Sequence, residues 1–481
     1  MKNLILFIVL IAIAFSCYKY STPGDYSFIG GTESYNEITE NPFVYAWQQP
    51  ISTFSIDVDG GSYANCRRYI NSGYLPPIDA IRTEEFINYF QYNYGEPDDG
   101  LPFFHNAELA ACPWTDGHKI LRIGLKGHTI SNTDRNGTNF VFLIDVSGSM
   151  SDKNKLELLK NCFIYFVQQK IDARDKVAIV TYAGSTQVVL EPTSGKDKDK
   201  IISKLQKLST GGSTNGEGGI RKAYELAQNN FIRGGNNRII LATDGDFNVG
   251  ISNQDELIKL IDEKRNTGIF LTVIGVGQGN IQEGTMEQLA DHGNGNYEYI
   301  DNFEQGRKVF VYEFNAFYPV AKDVKIQVEF DSTVVKQYRL IGYENRTLTN
   351  EDFANDSTDA GDLGSDQDVT AMYEIILQEN VGNYARLGKI AVRYKLPNES
   401  LSRYFDLEFH NTPNTFDEAT ENFRFAAGVT AFALLMRNSE YSGNATYDKA
   451  KLWIQKASTY NPYYYKSELV QLIDIAKTLK R

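Results

Sequence analysis

The feature that most limits what this chain can become is an alternation of apolar runs and amphipathic segments between Asn139 and Phe317. Phe140-Val-Phe-Leu-Ile144 is apolar without interruption, as a strand covered on both faces must be. Lys155 to Gln169 has helical spacing, and Lys176-Val-Ala-Ile-Val-Thr-Tyr182 is the next strand. Helices over about 197–208 and 217–231 precede the strand 238–243, and a helix over 254–266 precedes the strand 269–275. A strand at 296–300 and a helix from Phe303 to Phe317 close the series. Alternation of this length predicts an α/β domain, a doubly wound, mostly parallel sheet with helices on both sides, over residues 137–318.

The flanks differ in character. Before the α/β stretch come the strand 53–58, helices from Ser62 to Gly73 and over 80–89, and the strand 119–125, an N-terminal flanking domain over 51–130. After Pro319, period-two alternation marks strands at 324–330, 335–340, 370–377, 388–394 and 402–409, and helices follow over 417–437, 448–457 and 467–480. Residues 319–481 are therefore expected to form a β-rich, sandwich-like domain with terminal helices. Residues 119–125 should join that sandwich, because an isolated two-stranded piece is marginal in water.

Lys2 precedes a twelve-residue apolar stretch, Leu4 to Phe15, too short to cross a hydrocarbon layer about 30 Å thick. It ends in Ala14-Phe15-Ser16-Cys17, which resembles the lipobox of bacterial lipoproteins. That resemblance implies a signal peptide over 1–16, a lipidated Cys17 as the new N-terminus, and an exported chain anchored in the cell envelope. Residues 17–50 lack periodicity and suit a flexible tether. In an oxidising compartment Cys66 and Cys112 are the candidate disulfide, since Cys162 sits in a helical apolar pattern.

Sixty-one acidic against forty-eight basic side chains leave a net charge of −13, with no Lys/Arg run to offset it, so nucleic acid is excluded as an expected partner. With no CxxC, no HExxH and only five histidines, a zinc site is not expected. Oxygen donors are a different matter. Asp145-Val-Ser147-Gly-Ser149 follows the apolar strand directly, where ligands of open α/β sheets bind. Thr210-Gly-Gly-Ser213-Thr214 precedes a helix, and Asp244 follows the strand 238–243.

In order, these pieces resemble the metal-ion-dependent adhesion site of von Willebrand factor type A domains, a Rossmann-like fold. The resemblance implies Mg²⁺, with Mn²⁺ or Ca²⁺ as substitutes, held directly by Ser147, Ser149 and Thr214, with Asp145 and Asp244 acting largely through water. Ser213 supplies the same oxygen if the register shifts by one. A cation held by neutral hydroxyls remains electron-poor, so a partner's Asp or Glu can complete its shell. That is recognition chemistry, and no enzyme is expected. The flanks, through Ser52 to Tyr63, Arg82 to Phe90, Asn350 to Phe353 and Val369 to Glu374, resemble a bacterial lipoprotein family built around such a domain. The resemblance to integrin inserted domains also implies a mobile helix 303–317.

Three other motifs point elsewhere. Phe54-Ser-Ile-Asp57-Val-Asp59-Gly60 imitates the signature of haloacid dehalogenase-type phosphatases, with Asp57 as nucleophile, Asp59 as acid-base and Asp244/Asp246 as the late carboxylate pair. That reading demands a parallel sheet growing from residue 54. The segment 350–368 carries seven acids and no base, which suits either a Ca²⁺ loop or a solvated one. Tyr460-Asn-Pro-Tyr-Tyr-Tyr465 suggests stacking on a carbohydrate.

Overall fold

The structure, a computed structural model, describes residues 32–212, 216–245, 254–265 and 267–480. Val44–Tyr45 (β1) and Ile51–Ser55 (β2) lead into helices Gly61–Asn71 (α1) and Thr83–Asn88 (α2), then the hairpin Phe103–Ala111 (β3) and His118–Gly127 (β4). Thr138–Asp145 (β5), Leu158–Gln169 (α3), Lys176–Tyr182 (β6), Thr186–Ser194 (β7), Lys198–Gln206 (α4) and Gly216–Asn229 (α5) follow. Next come Asn236–Thr243 (β8), Gln254–Arg265 (α6), Phe270–Val276 (β9), Glu283–His292 (α7), Tyr297–Ile300 (β10) and Phe303–Arg307 (α8). The chain then returns to β structure in Pro319–Phe330 (β11), Val335–Ile341 (β12), Thr347–Leu348 (β13), helix Asn350–Ala354 (α9), Leu363–Gly364 (β14), Asp368–Leu377 (β15), Arg386–Lys395 (β16) and Arg403–His410 (β17). Helices Glu421–Met436 (α10), Tyr447–Gln455 (α11) and Tyr465–Leu479 (α12) end it.

The sheet β10-β9-β8-β5-β6-β7 is parallel except for its edge strand β7. Every residue of the central β5 is buried. Phe140, Phe142 and Ile144 enter the core under α3, while Val141 and Leu143 enter the core under α5 on the other face. A strand clothed on both sides needs no polar residue until it ends, which is why its first carboxylate, Asp145, falls at its tip. The helix expected over 303–317 is broken: α8 stops at Arg307, a π turn covers Lys308–Tyr312, and a 3₁₀ turn covers Phe314–Phe317. Lys308 is buried in the break and pairs with Glu313 at 2.7 Å.

The flanks correct the expected domain division. Two antiparallel sheets, β1-β12-β15-β4-β3 and β13-β2-β11-β16-β17, share one core. β4 pairs with β15 from Lys126↔Asp368 to His118↔Ile376, and β2 pairs with β11 from Ser55↔Lys325 to Ile51↔Glu329. Residues 51–130 and 319–410 thus form a single sandwich into which the α/β domain is inserted. The placement of 119–125 with the later strands holds. Helices α1, α2 and α10 to α12 likewise share one apolar layer, with Phe90 against Phe425 and Phe86 against Phe432.

Two further expectations are corrected. Within the presumed tether, residues 32–50 are docked. Ser34 N–H donates to Ile281 O at 2.9 Å, Glu33 receives Arg68 at 2.9 Å, and β1 pairs with β12. The segment lacks periodicity because its contacts fall on scattered partners, Ile281, Arg68 and β12, rather than on one face of a regular element. Cys66 and Cys112 do not pair; both are free and buried, as is Cys162, and burial pushes the Cys112 and Cys162 thiols up to about 12. Among the described residues no helix is long and apolar enough to cross a membrane.

Candidate metal centre

β5 carries Asp145 to the carboxyl rim of the sheet, where the chain turns away from its strand. The Ser147 N–H donates to Asp145 Oδ1 at 2.8 Å, and the Thr243 hydroxyl, last residue of β8, donates to Oδ2 at 3.4 Å. The Ser147 and Ser149 hydroxyl oxygens stand 3.0 Å apart. Val146 is pinned from both sides, its N–H on Tyr182 O at 3.0 Å and its carbonyl receiving Gly211 N–H at 2.7 Å. Gly148 N–H reaches Gly212 O at 3.2 Å, so the segment leading to residue 213 lies against the serine turn. Gly212 takes φ +89°, and a Cβ there would press on Gly184 N at 3.2 Å.

Asp244 follows β8 beside this turn, and its carboxylate binds the Lys155 ammonium at 2.9 Å; that ammonium also donates to Asn280 Oδ1 at 3.2 Å. The two aspartates are fully buried yet differently treated. Burial pushes Asp145 up to about 6, the Asp244 charge pushes the same way, and hydrogen bonds from Ser147 only partly offset them. For Asp244, burial pushes upward too, but hydrogen bonds from Asn280, Lys155 and Ser149 together hold it below the usual carboxylate range.

The structure thus brings Asp145, Ser147, Ser149 and Asp244 together. Thr214, its alternative Ser213, and Asp246 lie outside the described residues, as does Cys17. The donor set suits a hard divalent ion, since alcohols and carboxylates are the oxygens Mg²⁺ and Ca²⁺ take. Asp145 is also a buried carboxylate met by an amide and a hydroxyl, an arrangement that a bound cation would relieve. The sequence pattern marks Lys155 only as the start of a helix. Its backbone, at φ −118° and ψ −108°, departs from helical geometry inside the turn 153–157, and its stem crosses Gly277, where a Cβ would collide with it. One sequence signal pointed to it: a lysine six residues after Ser149, at the foot of an otherwise apolar helical pattern.

The rival motifs resolve differently. β2 lies antiparallel between β11 and β13, so the parallel sheet a phosphatase nucleophile at Asp57 requires is not built there. Asp57 and Asp59 instead receive Arg346 at 3.0 and 3.3 Å. The acids of 350–368 are distributed over separate partners. Asp352 caps α9 in a capping box with Thr349, Asp359 meets Arg265 at 2.5 Å, Asp366 meets Lys126 at 3.0 Å, and Asp368 receives Tyr92 N–H at 2.7 Å. No shared Ca²⁺ loop is assembled from them. In the cluster 460–465, Tyr463 stacks on Tyr312 at 3.9 Å and Tyr465 is buried, so these two rings serve the chain's own packing, while Tyr464 is exposed.

Comparison with known proteins gives the family. The family model for the von Willebrand factor type A domain matches residues 139–310, a second model described as von Willebrand factor matches 29–122, and the model "Uncharacterized protein YfbK, C-terminal" matches 315–479. The uncharacterized protein YfbK of Escherichia coli (strain K12) is 38% identical over 471 residues, which cover 93% of this chain and 81% of its own length. This chain belongs to the YfbK family. The α/β domain is accordingly a von Willebrand factor type A domain, and such domains are for the most part protein-interaction modules without enzymatic activity. The magnesium-chelatase 67 kDa subunit of Chlorobaculum parvum is 26% identical over 222 residues, 40% of this chain and 35% of its own length. The solved von Willebrand factor type A protein from Catenulispora acidiphila is 15% identical, with a TM-score of 0.44, and covers 80% of this chain and 91% of that one.

Proposed function

We propose that this YfbK-family chain recognises a protein at the bacterial cell envelope through a divalent cation, Mg²⁺ by preference, held at the rim of its type A domain. Ser147, Ser149 and Thr214 would hold the ion directly and Asp145 and Asp244 through water. Bound there, the ion would supply an electron-poor site to which a partner's Asp or Glu can add its carboxylate. The chain's own part is to set the donors: Ser147 N–H fixes one oxygen of Asp145, and Lys155 with Asn280 fixes Asp244. The observation that carries the reading is the convergence of two hydroxyls 3.0 Å apart with Asp145 and Asp244 at the end of the central strand. The lipobox-like Ala14-Phe15-Ser16-Cys17 supports attachment to the membrane by lipid at Cys17.

A pull-down from envelope extract tests this. The chain should retain a partner in Mg²⁺ and release it in EDTA, and the Asp145→Ala, Ser147→Ala double variant should retain nothing in either. Equal capture by the double variant would remove the metal from the mechanism.

A further inference from the structure

Where α7 of the type A domain meets the sandwich, acids collect in numbers that the local cations do not match. Asp57 and Asp59 come from the turn after β2, Glu84 and Glu85 from α2, and Glu283 and Glu287 from one face of α7. All six are buried. Two guanidinium groups serve them. Arg346 touches Asp57, Asp59 and Glu287 at 3.0, 3.3 and 3.6 Å and also holds Asp291 at 2.7 Å. Arg82 holds Glu287 at 2.9 Å and lies 3.5 Å from Glu85. Neither oxygen of Glu283 has a hydrogen-bond partner, and neither oxygen of Glu84 receives one from another residue.

Buried carboxylates in such excess cannot all stay ionised without further positive charge. Asp57, Asp59 and Glu287 each offer an oxygen, and the three lie within 4.8 Å of one another. Oxygens facing each other across a Ca²⁺ ion stand about 4.8 Å apart, from bonds of about 2.4 Å. The donors come from two parts of the molecule, are oxygen throughout, and sit one helical turn from the partnerless Glu283. We propose that this junction is a second cation site, taking a divalent ion of the Ca²⁺ kind on Asp57, Asp59 and Glu287. The ion shares these carboxylates with Arg346 and ties the turn after β2 to α7, fixing the type A domain against the sandwich. The site shares no ligand with the rim.

The test uses the full chain carrying Asp145→Ala and Ser147→Ala, so that the rim is disabled and failure here says nothing about the adhesion reading. Calorimetric titration with CaCl₂ should show one ion bound per chain, and adding Asp59→Asn and Glu287→Gln should abolish the heat. No heat in the parent, or heat unchanged by those two substitutions, overturns the proposal. Should the fourfold variant fail to fold, hydrogen exchange on the parent decides. Slower exchange of the amides of 283–292 in Ca²⁺ supports the site, and unchanged exchange overturns it.

Discussion

At the rim, two carboxylates stand with two hydroxyls and one ammonium, which pairs with Asp244 alone, at the end of a sheet; at the junction, six buried carboxylates stand with two guanidiniums between two domains. Both are acidic, but the rim offers neutral alcohols that would leave a bound ion hungry for an outside ligand. The junction draws on carboxylates alone, whose three charges would balance a divalent ion together with Arg346 and keep it as a structural part. Donor type, more than net charge, separates a site that recruits from a site that clamps.

The strongest way to break this comparison is Arg346→Ala. It strips a guanidinium from four carboxylates and should cost about 3–5 kcal/mol in denaturant unfolding, the usual toll of orphaning buried charges. If it costs no more than Lys155→Ala, the junction is not the tighter of the two.

A smaller effect separates them by pH. Burial pushes both Glu84 and Glu283 up to about 8, with Glu344 acting on Glu84 in the same direction and Arg82 only partly opposing the shift at each. A carboxyl whose folded pKa is raised is protonated more readily folded than unfolded. Its contribution is therefore greatest below about 4.5 and is lost as pH rises through about 8. In EDTA the melting temperature should fall between pH 5.5 and pH 8.5, and saturating Ca²⁺ should flatten that slope. A flat profile in EDTA would contradict the excess of buried charge.

At the rim, Lys155→Met frees Asp244 from its resident ammonium and should tighten Mg²⁺ binding about tenfold by calorimetry, the effect of roughly 1.4 kcal/mol of removed competition. Unchanged affinity would mean that the lysine does not compete. The smallest effect is expected one turn along, where Glu157→Ala removes an exposed pair with Lys160 at 3.0 Å. It should change stability by no more than about 0.5 kcal/mol and leave Mg²⁺ binding alone.

The type A domain was legible because its information is local: an unbroken apolar strand, 140–144, needs no knowledge of its partners to be recognised, and the first polar residue after it marks the rim. β7 and β3 carry a weaker signal because they are edge strands whose polar residues interrupt the apolar pattern, Glu191 exposed on β7 and Asn106 receiving Arg122 on β3. The share of 119–125 in the sandwich was legible because an isolated strand pair is marginal, but the place of β2 in it was hidden for another reason. Pairings such as Ser55↔Lys325 and Ile51↔Glu329 join residues more than two hundred positions apart, and no pattern within either segment records its partner. The junction acids did leave a trace, since Glu283, Glu287 and Asp291 recur every fourth residue and so line one helix face. α7 itself went unassigned, and that trace with it.

Calorimetry of Mg²⁺ binding to the full chain and to a Ser147→Ala, Ser149→Ala variant tests the central claim most directly. The account predicts one Mg²⁺ bound by the unmodified chain and its loss in the variant, with circular dichroism unchanged. Equal heats from the two proteins would contradict it.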